Sequence, residues 1–154
     1  MATTARDIMQ TQVVTLSPQE PIDSARRVFV EESIHGAPVV DEQGKVVGVA
    51  TATDLLRTLA DDHDSARPEG GYFQGGVETF PASLAEAFEE RLGMRSITDV
   101  MTRDLVSVPP DAPIASVART LRDQRVHRVL VMEGDRLLGI ISSFDLMELL
   151  VKDG

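Results

Sequence analysis

The sequence contains no cysteine. That excludes disulfides, thiolate catalysis and cysteine-ligated metal sites, and it leaves the redox compartment unread. No apolar run reaches about 18 residues, so no segment reads as a membrane-spanning helix. The opening residues, MATTARDIMQ, lack the apolar core of a signal peptide, which makes the cytoplasm the expected location. Positive charge is scarce: 15 Lys and Arg against 25 Asp and Glu leave a net charge of −10. A nucleic-acid binder needs a basic face to displace counterions, so that class is not expected. Any phosphate-bearing ligand would need a local positive patch within an acidic whole. There is no P-loop, no GxGxxG after a strand and no nucleophile elbow. No nucleophile–base pair or metal set stands out either, and an enzyme is not expected.

What is present is a repeat, and the repeat organises everything else. The chain has 154 residues, enough for one ordinary domain or two small ones. Sliding it by 92 residues aligns 7–41 with 99–133, and 10 of those 35 positions are identical. They include Asp7/Asp99, Met9/Met101, Val14/Val106, Pro21/Pro113 and His35/His127. After a one-residue deletion in a turn the offset becomes 91, and Gly48/Gly139 and Asp54/Asp145 match.

Each copy carries the same pattern of elements. A short apolar strand is expected at 13–15 and at 105–107, followed by a proline-containing turn. An amphipathic helix follows, with Ile22, Ala25 and Phe29 on one stripe and Ile114, Val117, Ala118 and Leu121 on the other. Pro21 and Pro113 suit its first turn. Two strands then form a hairpin, 37–40 with 46–50 and 129–132 with 137–141, turning at Asp41, Gly44, Gly134 and Asp135. A last helix is expected over 55–59 and 146–151. The order is β-α-β-β-α, an α/β (α+β) class. Residues 1–60 hold the first copy and 96–154 the second.

Between them, 61–95 is unrepeated and opens with a polar, glycine-rich stretch. A short helix is expected over 84–92, where Ser83 and Glu86 make a capping-box pattern. The run Asp61, Asp62, His63, Asp64 carries metal-ligating residue types. Neighbours in a polar loop rarely converge on one ion, and it reads as solvated, so no metal is expected. The insert reads as a late-ordering surface segment, or as one that packs on a neighbouring subunit or lids a site.

Each copy closes on a Gly-h-h-[Thr/Ser]-x-x-Asp motif: Gly48 to Thr51 and Asp54, then Gly139 to Ser142 and Asp145. The spacing of hydroxyl and acid is that of an N-terminal helix cap. The same geometry can serve a ligand. A helix N-terminus favours anions, a hydroxyl can donate to phosphate, and a carboxylate can accept two hydrogen bonds from a vicinal diol such as that of ribose. Both readings stand on these residues.

The unit, its duplication and the closing motif together resemble the CBS domain, in tandem as a Bateman module. The second copy is similar to the nucleotide-binding repeats of the AMP-activated kinase γ subunit. The resemblance implies two repeats packed through their sheets about a pseudo-twofold axis, and commonly a homodimer. It implies adenosine-type ligands (AMP, ADP, ATP or S-adenosylmethionine) in the cleft between repeats, as regulatory ligands rather than cofactors, with the signal passed to an effector protein in trans. Thr51 with Asp54 and Ser142 with Asp145 would divide phosphate and sugar between them. His35 and His127 precede the second strand, where the family often places phosphate-facing basic residues, and Arg128 adds a planar fork for phosphate. The adenine slot would set Met9, Val14 and Ile34 against Ile140, Ser142 and Asp145, and Met101, Val106 and Val126 against Val49, Thr51 and Asp54. The Asp145 site, with Arg128 in its own repeat where the first copy has Gly36, is expected to be the tighter. The alternative is a structural dimerisation module with degenerate sites.

Overall fold

In a computed structural model of the chain, the described residues are 3–60, 73 and 95–153. The helix expected over 84–92 and the run from Asp61 to Asp64 lie outside them. The elements in order are α1 (Ala5–Ile8), α2 (Ile22–Glu32), β1 (Gly36–Val40), β2 (Val46–Thr51), α3 (Ala52–Ala60), a 3-10 turn (Ile97–Asp99), β3 (Ser107–Val108), α4 (Ile114–Gln124), β4 (Arg128–Glu133), β5 (Arg136–Ser142) and α5 (Ser143–Asp153). The architecture is mixed α/β with two small sheets, as expected.

The chain forms two compact units, and they do not coincide with the repeats. One unit joins residues 1–13 to 105–154, and the other is 14–104. Each therefore combines the body of one repeat with the short lead-in that precedes the other. In the first unit, β4 and β5 are antiparallel and β3 lies parallel to β4. The lead-in adds at the β5 edge, where Gln10 and Ile140 exchange main-chain bonds of 2.9 and 3.0 Å. In the second unit, β1 and β2 form the hairpin, and Thr102 pairs with Val49 through two bonds of 2.8 Å.

The helices bury the stripe that their spacing dictates, with one exception. Ile22, Ala25 and Phe29 of α2 are buried, as are Val117 and Leu121 of α4, while Ile114 is half-buried. Ala118 is exposed, because the buried arc of α4 turns toward Ser116 and Thr120 and leaves this small side chain at its margin. Pro21 and Pro113 are the N-caps rather than first-turn residues, in extended backbone that a proline ring accepts. Both helices end in a left-handed residue, Ser33 (φ 55°) and Arg125 (φ 56°), which turns the chain into the following strand.

The first strand of each copy sits later than expected. Residues 13–15 are not a strand, and pairing begins at Leu16, which bridges Val39 in parallel. In the second copy, the strand is Ser107–Val108 rather than 105–107. Leu16 and Val108 are the buried side chains, and the ladder forms where they point inward. The closing helices start three residues earlier than their apolar residues suggest, because the polar cap of the motif belongs to them. The core of the second unit gathers Leu16, Ile22, Phe29, Val39, Leu55 and Ile97.

Candidate functional site

In each unit the hairpin's second strand runs directly into the closing helix, and the motif spans that junction. The motif glycine is required by a crossing chain. A Cβ on Gly139 would lie 2.6 Å from the Gln10 carbonyl and 2.9 Å from Met9 Sδ. On Gly48 it would lie 2.7 Å from the Thr102 carbonyl and 2.9 Å from Met101 Sδ. The lead-in methionine thus lies against the motif glycine in both copies, beside Ile140 in one and Val49 in the other.

The cap is formed in both copies. Asp54 Oδ2 accepts from the Thr51 N–H at 2.9 Å, and Thr51 Oγ1 accepts from the Asp54 N–H at 3.0 Å. Asp145 Oδ2 accepts from the Ser142 N–H at 2.8 Å, and Ser142 Oγ accepts from the Asp145 N–H at 3.2 Å. Each hydroxyl acts here as acceptor, so its own proton is left for another partner. Each carboxylate spends one oxygen on the cap. The cap therefore fixes the orientation of both the hydroxyl and the acid in each copy.

The histidines sit at this junction. The main-chain carbonyl of His35 accepts from the Ala52 N–H, and that of His127 from the Ser143 N–H, both at 2.8 Å. One residue on, Gly36 pairs with Thr51 and Arg128 pairs with Ser142 across the ladder. The first unit thus brings together Met9, His127, Arg128, Ile140, Ser142 and Asp145. The second brings together His35, Val49, Thr51, Asp54 and Met101. Val106 and Val126 belong to the first unit, where Val106 is half-buried and its carbonyl accepts from Leu130 at 3.0 Å, and Val126 is buried. Val14 and Ile34, both half-buried, belong to the second.

The two junctions differ in access. Thr51 and Asp54 are 2% and 5% exposed, and Thr53 between them is fully buried. Thr53 Oγ1 has no hydrogen-bond partner among the described residues. Ser142 and Asp145 are half-buried, His127 is exposed, and Phe144, at the position of Thr53, is 68% exposed. Asp145 also lines an open cleft of about 260 Å³ with Asp7, Ile8, Glu148, Leu149 and Lys152.

Two features were missed at the level of sequence. Asp7 and Asp99, identical in the repeat, cap α1 and the 3-10 turn: the Thr4 N–H donates to Asp7 at 2.8 Å and the Ser96 N–H to Asp99 at 3.1 Å. The signal was legible, since Thr4-x-x-Asp7 and Ser96-x-x-Asp99 repeat the hydroxyl–acid spacing of the closing motif. Gln10 is the second. Its Nε2 donates to Asp145 Oδ1 at 2.9 Å, across 135 residues of sequence, and no local pattern marks it. Among the described residues, no three His, Asp or Glu side chains are grouped to hold a metal ion. No helix among them is long and apolar enough to cross a membrane.

An uncharacterised protein of Methanocaldococcus jannaschii is 28% identical over 148 residues, which cover 96% of this chain. The chain spans only 43% of that relative's length. The solved CBS domain pair of protein MJ0100, in complex with 5′-methylthioadenosine and S-adenosyl-L-methionine, superposes with a TM-score of 0.68 at 22% identity, covering 100% of both chains. CBSX2 in complex with AMP superposes with a TM-score of 0.69 at 22% identity, covering 97% of each. At that identity both speak for the fold. The CBS-domain family model matches residues 5–61 and 97–152, and with both copies of the unit accounted for, this chain belongs to the CBS-domain family.

Proposed function

We propose that this chain is a regulatory module that binds an adenosine-type ligand at its closing-motif junctions and passes the event to a partner protein in trans. The observation that carries this reading is the Asp145 junction. There a half-buried carboxylate with one oxygen committed to a helix cap and a hydroxyl with its proton still to donate meet at a helix N-terminus, beside the main chain of His127 and Arg128. This set suits a ribose diol and a phosphate, and two proteins of the same fold are in complex with adenosyl compounds. The local basic residues outweigh the net charge of −10, because screening confines Coulomb effects to about 10 Å. AMP, ADP, ATP and S-adenosylmethionine all carry the required diol.

A signal requires that the ligand prefer one arrangement of the protein over another. The exposed apolar face of α5, formed by Phe144, Met147, Leu150 and Val151, supports homodimerisation as part of that response. The same face favours the second reading, a dimerisation module whose nucleotide sites are degenerate. A thermal-shift screen with adenosyl compounds separates the two. A ligand at 100 times its dissociation constant stabilises the fold by about 2.7 kcal/mol. A shift with at least one of these compounds is expected, and none with any of them would favour the dimerisation module.

A further inference from the structure

The Asp145 carboxylate is already doubly engaged within its own unit. Oδ2 accepts the Ser142 N–H at 2.8 Å, and Oδ1 accepts the Gln10 amide at 2.9 Å. A vicinal diol would seek the same oxygen, Oδ1, since Oδ2 is held by the cap. We infer that Gln10 is a specificity-determining residue of the Asp145 junction: its carboxamide competes with the ligand's diol for Asp145 and so sets the concentration at which the site fills. The inference rests on the proposed adenosyl-binding function.

Three observations support it. The main chain of Gln10 is pinned to Ile140 by two hydrogen bonds of 2.9 and 3.0 Å, so the side chain stays within reach of the junction. Ile140 lies two residues before Ser142, which places the carboxamide over the start of α5. Finally, Gln10 is exposed, so it can swing aside without opening any core. The duplication supplies an internal contrast. Thr102 occupies the equivalent position on the second unit, pinned to Val49 by two bonds of 2.8 Å, and it carries no amide.

Competition of this kind acts as a tax on affinity. A pocket open for only a fraction of the time binds more weakly by that fraction, and removing the competitor restores the intrinsic affinity. Calorimetric titrations of AMP and of 2′,3′-dideoxyadenosine monophosphate into wild type, Gln10→Ala and Gln10→Met test this. Gln10→Met keeps the length of the side chain and removes the donor. Both variants are expected to bind AMP about 5-fold to 10-fold more tightly, with the dideoxy compound unchanged. An unchanged or weakened AMP affinity in both variants, with wild type binding normally, would overturn the inference and leave the proposed function standing. An equal gain for both compounds would also overturn it, because the diol would not be the competitor. If neither wild type nor variant binds AMP or any adenosyl compound, the proposed function itself falls and the inference with it.

Discussion

The two closing motifs have the same sequence logic and the same hydrogen bonds, yet they sit in different surroundings. At Asp54 the cap is closed: Thr51, Thr53 and Asp54 are all buried. At Asp145 it is open: its hydroxyl and acid are half-buried, Phe144 stands in solvent and a cleft opens alongside. Duplication copies geometry, and divergence then assigns roles. A cap that is buried chiefly serves the fold, and a cap of the same construction that stays accessible can also serve a ligand.

The largest effect should come from the feature the copies share most closely. Gly48→Ala and Gly139→Ala each force a Cβ against a lead-in carbonyl, and each should cost about 2 kcal/mol of stability in a denaturant titration. A tolerated alanine at either position would show that the lead-in can move away there, and would end the equivalence. The acids should then separate the copies. Asp54→Ala removes a buried cap and should cost about 2 kcal/mol, against about 1 kcal/mol for Asp145→Ala. Equal losses would mean that burial adds nothing to the Asp54 cap.

Thr53→Val should stabilise the protein by about 1 kcal/mol, because it removes a buried hydroxyl that has no partner among the described residues. A loss instead would reveal a partner. The smallest effect on folding belongs to the exposed face of α5. Phe144→Glu should change monomer stability by no more than about 0.5 kcal/mol and, on the proposed homodimer, should shift the molecular mass in light scattering from dimer toward monomer. An unchanged dimer would place the interface elsewhere.

Much of the fold was legible because the repeat constrains it twice. The hairpins, α2 and the order of elements followed from apolar period and turn residues such as Gly44 and Gly134. The first strand was misplaced because Val13, Val14 and Leu105 are apolar but only half-buried, and composition does not say which side chain points inward. The site was legible where it is local, as in the hydroxyl and acid of each motif. The lead-in exchange came only through the family resemblance, which set Met9 against Ile140 and Met101 against Val49. The Gln10–Asp145 contact did not come at all, because it depends on where residues far apart in sequence are brought together. The difference in exposure between Asp54 and Asp145 was likewise invisible, since both motifs read alike.

The central claim is that the Asp145 junction is the principal adenosyl site. Calorimetric titration of AMP into wild type, Asp145→Asn and Asp54→Asn tests it most directly, since asparagine keeps a side-chain oxygen for the cap while removing the charge that a diol prefers. The expected result is a loss of affinity of about tenfold or more for Asp145→Asn and a smaller loss for Asp54→Asn. A larger loss for Asp54→Asn would contradict the account.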